Sequence, residues 1–286
     1  MDKKDVILQV KDLKTEFKVS KRTVHAVNGV SFDLQRGKTL CIVGGTISYY
    51  PEADVCKVLS SYKRTGHAIR GIRGKEIAMI FQDPMSTLNP VYTVGSQIME
   101  MLKSHEKWID KKEAKARIIK LLGNLGIPNP EIRYDQYPHE FSGGMKQRIM
   151  IAIAMICNPT ILIADEPTTA LDVTIQAQVL ELINRLKEEY NTSMILITHD
   201  LGVVNETCDN VAVVYAGQII EMGHKVDIFE NPVHPYTKGL FGALPNMNLD
   251  SERLNPIDGL PPDPTNLPEG CAFAPRCPWA CDECKA

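Results

Sequence analysis

Two short apolar strands joined by one amphipathic helix constrain the fold of this chain more than any other feature. Residues 161–164 and 194–198 are apolar runs, followed by Asp165-Glu166 and by His199. Between them, apolar residues recur at helical spacing, at Ile175, Val179, Leu182, Ile183 and Leu186. This strand–helix–strand order predicts parallel strands with the helix on one face. Because ligands of such sheets bind at the carboxyl ends of the strands, we expect the polar residues to share one edge.

Further elements are predicted on both sides of this unit. The other predicted strands are 6–10 and 24–34 as an antiparallel sheet, 40–43, 76–81, and 211–215 with 218–222 as a hairpin. Asp110 with Glu113 resembles a capping box. It precedes a helical stripe that ends at Gly126 and comprises Ala114, Ile118, Leu121, Leu122 and Leu125. Beyond about residue 230 the chain is rich in proline, which predicts an extension that orders by contact with the domain.

The bulk composition is that of a globular protein. At 286 residues, with 44% apolar and 23% charged residues, the chain is long enough for one large α/β domain with a small insert or tail. The net charge of −3 gives no reason to expect nucleic acid as the main partner. The longest apolar run, residues 149–157, is far too short to span a membrane. We therefore expect any membrane association to come through a partner.

The polar residues at the strand ends suit ATP hydrolysis, which needs a phosphate cradle, a magnesium ligand, a polarised water and a γ-phosphate sensor. Asp165 is placed to hold Mg²⁺, and Glu166 is suited to be the general base for the attacking water. His199 is interpreted as a γ-phosphate contact, and Gln82 as a ligand of Mg²⁺ or of the water. Taken singly, a histidine at a strand end is more often structural, and Gln82 carries no signal. The apolar run before Asp165-Glu166 and the residues after it disfavour a plain acidic loop.

Ser142-Gly143-Gly144 precedes a predicted helix that runs to about residue 157. The glycines let the backbone approach an anion closely, the serine is able to cap the helix, and a helix N-terminus favours negative charge. Alone, the pattern is typical of any capped helix. Followed closely by Asp165-Glu166, it predicts a contact with nucleotide phosphate.

In this order, the motifs resemble the ATP-binding subunits of ABC importers of the dipeptide, oligopeptide and nickel branch. Residues 81–90 (FQDPMSTLNP) resemble the glutamine loop of that branch. Residues 141–148 (FSGGMKQR) resemble its signature, with Met145 where most ABC proteins have glutamine. Residues 234–240 (HPYTKGL) and 270–278 (GCAFAPRCP) resemble the C-terminal extension of peptide importers.

The resemblance implies further site residues and a domain plan. Asp172 matches the loop that crosses the dimer interface, His199 the switch histidine, and Phe17 an aromatic residue that stacks on adenine. The implied fold is the α/β fold of ABC-type P-loop ATPases. It has a parallel core sheet, an N-terminal antiparallel β subdomain, a helical signature subdomain and a Pro/Cys-rich C-terminal extension. We expect the ATPase domain at 1–230, with its helical subdomain at about 84–158, and the extension at 231–286.

The loop that grips the nucleotide phosphates is missing. After the strand at 40–43, the family carries a glycine-rich loop that ends in Gly-Lys-Ser and enters a helix, whereas this chain reads GGTISYYP at 44–51. The tripeptide GKT at 37–39 is no substitute, because Phe32 stands where glycine is needed and a strand follows it. Residues 44–68 show neither helical periodicity nor strand alternation. We interpret them as an aberrant segment that impairs nucleotide binding.

Four of the eight cysteines cluster near the end of the chain, namely Cys271, Cys277, Cys281 and Cys284. Without a secretion signal, such a cluster indicates metal or iron–sulfur ligation more than a disulfide. The spacing of the first, second and fourth matches the family, in which some members carry an iron–sulfur cluster, and Cys281 is additional. Four thiolates make a zinc or iron–sulfur site, and reduced, unliganded thiols are an equal alternative. The remaining cysteines, Cys41, Cys56, Cys157 and Cys208, are predicted to be buried free thiols.

The resemblance implies an ATP-hydrolysing subunit that uses ATP and Mg²⁺ to energise peptide import from the cytoplasmic face of the membrane. The implied partners are two transmembrane permease subunits, a second ATPase subunit in a homo- or heterodimer, and indirectly an extracytoplasmic substrate-binding protein. Two interpretations of this chain stay open. It is either an ATPase subunit damaged in its phosphate loop, or a non-catalytic subunit that lends Ser142–Gly144 to an active neighbour. An ABC ATPase of DNA repair or chromosome work is disfavoured by the net charge and the tail.

Overall fold

The computed structural model describes residues 5–19, 22–41, 45–52, 55–58, 66–82, 87–168, 171–242, 257–263 and 265–285. This part of the chain holds ten strands: β1 (Val6–Val19), β2 (Arg22–Gln35), β3 (Thr39–Cys41), β4 (Gly45–Glu52), β5 (Val55–Val58), β6 (Ile77–Ile80), β7 (Ile161–Asp165), β8 (Ser193–Ile197), β9 (Asn210–Tyr215) and β10 (Gln218–His224). Its α-helices are α1 (His67–Ile72), α2 (Val94–His105), α3 (Lys111–Asn124), α4 (Pro130–Arg133), α5 (Gly143–Met155), α6 (Val173–Glu189), α7 (Leu201–Thr207), α8 (Lys225–Glu230) and α9 (Pro235–Gly242). Short 3₁₀ turns lie at Pro138–Glu140, Ala274–Arg276 and Asp282–Cys284. None of the described helices is long and apolar enough to cross a membrane.

The predicted parallel sheet is confirmed. Six strands follow the order β10-β9-β3-β8-β7-β6, and every pair in it is parallel except the β9–β10 hairpin. Asp165 at the end of β7 pairs with Ile197 at the end of β8, so these two strands finish level with one another. The residues that follow the neighbouring strands β6, β7 and β8 therefore lie at the same edge of the sheet.

The N-terminal antiparallel subdomain is also confirmed, and it is larger than predicted. β1 and β2 each have 14 residues and pair along their length with several register shifts. β4 then pairs antiparallel with β1, and β5 pairs with β4, giving the order β2-β1-β4-β5. The expectation that residues 44–68 lack strand structure is therefore wrong for β4 and β5. The free edge of β1 offers backbone donors and acceptors, and the threonine, isoleucine and tyrosines of β4 favour extended backbone.

The helical region packs as the apolar stripe predicts. Asp110 caps α3, its carboxylate accepting from the backbone N–H of Lys112 at 2.8 Å and of Glu113 at 3.4 Å. The stripe residues Ala114, Ile118, Leu121, Leu122 and Leu125 are buried in one continuous core with α2, α5 and α6. Gly126 adopts φ +70° just after the helix, a conformation in which glycine costs little.

The C-terminal extension packs on the β9–β10 hairpin. Tyr215 of β9 forms an aromatic cluster with Tyr236 and Phe273, whose ring centroids lie 4.6 Å and 5.2 Å from its own. Arg276 donates hydrogen bonds to the carbonyl oxygens of Asp258 (2.9 Å) and Ile257 (3.0 Å) and to the Tyr215 hydroxyl (3.3 Å). These contacts tie three segments of the extension to one strand of the core sheet.

Candidate nucleotide site

Three predicted site residues meet at the carboxyl ends of β6, β7 and β8. The Glu166 carboxylate accepts a hydrogen bond from Gln82 Nε2 at 2.6 Å, and its other oxygen lies 2.9 Å from His199 Nδ1. The His199 side chain is 77% exposed, whereas that of Glu166 is 21% exposed. A carboxylate held by an amide on one side and by an imidazole on the other is suited to take a proton from a bound water.

The backbone at Glu166 turns away from the strand in a left-handed conformation, with φ +43°. This conformation is uncommon for a residue with a side chain and occurs often at functional sites. Burial, and then the charge of Glu166, raise the pKa of Asp165 above its ordinary value. A divalent cation would relieve this repulsion between adjacent carboxylates, so Asp165 fits as a Mg²⁺ ligand. Among the described residues, however, no three metal-binding side chains converge, and Mg²⁺ would need further ligands such as phosphate and water.

The signature residues lie at the start of α5. Ser142 is the N-cap of this 13-residue helix, and its hydroxyl accepts from the backbone N–H of Met145 at 3.4 Å. Ser142 and Gly143 are exposed, and a Cβ added at Gly143 meets nothing within 4 Å. At Gly144 an added Cβ would come 3.0 Å from Ile175. The N-terminus of α5 is therefore open to an incoming anion.

Two positioning contacts escaped the sequence analysis. Gln147, which is 2% exposed, donates to the Pro167 carbonyl and so ties α5 to the loop after Glu166. Gln176 donates to Asp200 at 2.9 Å, and Asp200 in turn caps α7 directly after His199. The capping aspartate was a readable signal. The contacts of Gln147 and Gln176 join residues 20 or more positions apart, and no local sequence pattern predicts contacts of that range.

The remaining predicted residues do not join this cluster in the described structure. Asp172 is the exposed N-cap of α6. Phe17 lies in β1, and its side chain is outside the described part of the chain. Residues 42–44 after β3 and residues 83–86 after Gln82 are also outside it. The next described strand after β3 is β4 of the antiparallel sheet, whereas the resemblance implies a phosphate loop and a helix at this point.

Two of the four clustered cysteines bring their thiols together. Cys281 Sγ and Cys284 Sγ lie 3.4 Å apart, and the backbone N–H of Cys271 donates to the Cys284 carbonyl at 2.8 Å. Cys271 and Cys277 pack instead beside the aromatic cluster. The predicted burial agrees with Cys208, which is buried, and in part with Cys157, which is partly buried, while the side chains of Cys41 and Cys56 are outside the described residues.

Comparisons with known proteins give matches to both parts of the chain. Residues 56–169 match the ABC transporter family, and residues 220–284 match the oligopeptide/dipeptide transporter C-terminal region. The chain is 50% identical to the dipeptide transport ATP-binding protein DppD of Bacillus subtilis, over 95% of this chain and 87% of that protein. It is 44% identical to the oligopeptide transport ATP-binding protein OppD of Escherichia coli, over 99% of this chain and 88% of that protein. A dimeric ATP-binding cassette, MJ0796 bound to ADP and Pi, shares the fold with a TM-score of 0.65 at 19% identity, covering 76% of this chain and 98% of that one.

The relatives are longer within the aligned span. The alignment to DppD runs over 291 residues but holds 95% of this chain's 286 residues, or about 272 of them. DppD therefore carries about 19 residues in that span that this chain lacks. The match to the ABC transporter family begins at residue 56.

Proposed function

Since this chain belongs to the ATP-binding subunits of ABC peptide importers, we propose that it occupies the place of such a subunit but binds nucleotide poorly on its own. The family couples ATP hydrolysis to transport. The observation that carries the proposal is the path of the chain after β3. Residues 45–52 pair with β1, and residues 55–58 pair with residues 45–52. Both segments are strands, so they do not form a loop and helix around phosphate.

The cost of this change follows from how phosphates are held. A phosphate loop supplies several charge-assisted hydrogen bonds, each worth roughly 1.5–3 kcal/mol. The loss of three such bonds weakens binding by on the order of a thousandfold or more. The site would then lack its phosphate-binding loop. It would keep the catalytic residues Glu166, His199 and Gln82 and the Mg²⁺ ligand Asp165.

Titration calorimetry of the full chain with MgATP tests this proposal. We expect no saturable binding in the micromolar range. The matched control replaces residues 44–65 with the corresponding segment of DppD, and we expect it to bind in that range. Micromolar binding by the unmodified chain would overturn the proposal. A control that also fails to bind would mean that the defect lies outside the loop.

A second candidate function is support of an active neighbour. It is favoured by the intact and open N-terminus of α5, where Ser142 caps the helix and Gly143 faces free space. In a head-to-tail dimer with an intact ATPase subunit, these residues would complete the partner's site. Gly143→Asp places a negative charge there and should lower the ATPase rate of the mixed dimer at least tenfold. Gly71→Asp is the control, because an added Cβ at Gly71 also meets nothing within 4 Å. Equal rates for both variants would refute this role.

We assign the permease contact to an apolar groove beside Gln82. Met79, Phe81, Met101 and Met150 line this groove of about 90 Å³, and Phe81 is 49% exposed. Such a groove suits a single apolar side chain that a permease subunit presents on the cytoplasmic side of the membrane. Phe81→Ser should reduce co-purification with the permease subunits, whereas Trp108→Ser, at a 97% exposed position, should not. Undiminished co-purification of the Phe81 variant would exclude the groove.

The wider assembly and the domain plan rest on family membership. We propose a second ATPase subunit and two permease subunits as direct partners, a substrate-binding protein as an indirect one, and no nucleic acid. The ATPase domain is assigned to residues 1–230 and the extension to 231–286. Phe17 and Asp172 are assigned to the nucleotide on the same ground.

An iron–sulfur cluster does not fit the described arrangement of the extension. The Sγ atoms of Cys281 and Cys284 lie 3.4 Å apart, and the described residues contain no group of three metal-binding side chains. Cys271 and Cys277 pack beside the aromatic cluster. Anaerobic reconstitution with iron and sulfide, followed by visible absorbance and iron analysis, tests this cofactor directly.

A further inference from the structure

The two cysteines nearest the end of the described chain form a close pair. Cys281 is the N-cap of the 3₁₀ turn Asp282–Cys284 and Cys284 is its last residue, and the Cys284 backbone N–H donates to the Cys281 carbonyl at 3.1 Å. Their sulfur atoms share a hydrogen bond at 3.4 Å. The Cys284 carbonyl also accepts from the Cys271 N–H, which anchors the turn to the packed part of the extension. The sulfur atoms are thus held together by backbone structure on both sides.

The pair is also accessible. Cys281 is exposed, Cys284 is partly buried, and Cys208 in the core is buried. Because a small disulfide reaches an exposed thiol first, Cys281 is placed to react before Cys284.

We propose that Cys281 and Cys284 form a redox-active dithiol, a covalent modification site whose co-reactant is a small disulfide of the glutathione type. This role is independent of the nucleotide site and uses the cysteine that the family spacing does not require. Two sulfur atoms 3.4 Å apart need to approach by only a little more than 1 Å to reach the bond length of about 2 Å in a disulfide.

The reaction has two thiol–disulfide exchange steps. The Cys281 thiolate attacks one sulfur of the small disulfide. A mixed disulfide forms, the original S–S bond breaks and one small thiolate leaves. Cys284 then loses its proton to water and attacks Cys281 Sγ, which releases the second small thiolate. Two protein thiols are oxidised to one disulfide, and one small disulfide is reduced to two thiols.

Oxidation would remove both sulfur atoms from metal binding, so the disulfide and a thiolate metal site exclude each other. The extension would then exist in a reduced form and a disulfide-bonded form. The ratio of the two forms would depend on the ratio of small thiol to small disulfide in solution. The attachment of the extension through the aromatic cluster does not involve these sulfur atoms.

Mass spectrometry of the full folded chain in glutathione redox buffers tests the proposal. Trypsin releases residues 277–285 as one peptide that holds Cys277, Cys281 and Cys284. After alkylation, we expect the oxidised peptide to carry one alkyl group, on Cys277, and a link between Cys281 and Cys284. Cys281→Ser and Cys284→Ser should each abolish the link, and Cys277→Ser should keep it.

The same measurement on the chain unfolded in guanidinium shows whether the fold prepares the pair. We expect the equilibrium constant for closing the disulfide to be at least about tenfold larger in the folded chain, because the turn holds the thiols in place. A link that includes Cys277, accumulation of the mixed disulfide, or equal constants in both states would overturn the proposal.

Discussion

Arg276 should decide how firmly the extension holds to the core. Its guanidinium donates to two carbonyl oxygens and to the Tyr215 hydroxyl, and it lies 6.0 Å from the Phe273 ring centroid. In Arg276→Ala these three hydrogen bonds are lost. The side chain is half-buried, so water is able to reach the freed carbonyls and each bond is worth about 1 kcal/mol net. We therefore expect local opening of the extension to become easier by about 2–3 kcal/mol, which is roughly a factor of 30 to 150.

Hydrogen exchange measures this opening at the Cys271 amide, which is bonded to the Cys284 carbonyl in the closed extension. Exchange at that amide should accelerate by the same factor in Arg276→Ala, while amides of the buried strands β7 and β8 keep their rates. Arg70→Ala, at an exposed position on α1, is the control for loss of a guanidinium. If exchange at Cys271 stays within about twofold of the unmodified chain, Arg276 does not hold the extension, and the reasoning fails.

Three further predictions concern stability, and urea unfolding measures each. Leu122→Ala should lower the free energy of unfolding by about 2–5 kcal/mol, because Leu122 is fully buried in the main core. The control Leu260→Ala, at an 88% exposed position, should change that free energy by less than about 0.5 kcal/mol. Gly217→Ala should cost about 1–3 kcal/mol, since Gly217 has φ +76° and its Cβ would come 2.6 Å from the Ala26 carbonyl oxygen; an unchanged midpoint would contradict the turn geometry. Burial raises the pKa of Asp209, but hydrogen bonds from the Thr39 N–H and Lys38 outweigh it and hold that pKa below its ordinary value. Its stabilisation is therefore complete above the unfolded pKa of about 3.9 and is lost as the pH falls through the folded value, so Asp209→Asn should flatten the fall in the urea midpoint between about pH 5 and pH 2.

Much of the fold was predictable because its signals are local. The stripe from Ala114 to Leu125 and the capping Asp110 define α3 to within one residue, and the apolar run 161–164 with its acidic end defines β7. The convergence of Gln82, Glu166 and His199 was predictable as well, because each follows a strand of one parallel sheet. Their roles in catalysis remain predictions.

The failures have a different physical origin. The segment that became β4 carries no clean alternation, and its strand structure comes from hydrogen bonding to β1, a long-range effect. The contacts of Gln147 with Pro167 and of Gln176 with Asp200 also depend on tertiary structure. The sequence left a four-thiolate site and unliganded thiols equally open, because the packing of Cys271 and Cys277 beside the aromatic cluster is also a tertiary effect.

The addition of β4 and β5 to the antiparallel sheet has a genetic consequence. The extra strands attach at the free edge of β1, so the parallel sheet keeps its six strands and the surfaces assigned to partners keep their residues. A chain that folds and assembles but grips nucleotide weakly competes with intact copies for the same places. In a cell that also makes an intact homologue, such a chain would interfere dominantly with transport, and the interference would increase with its share of the two chains. An unfolded product would instead be recessive, because it would not enter the assembly.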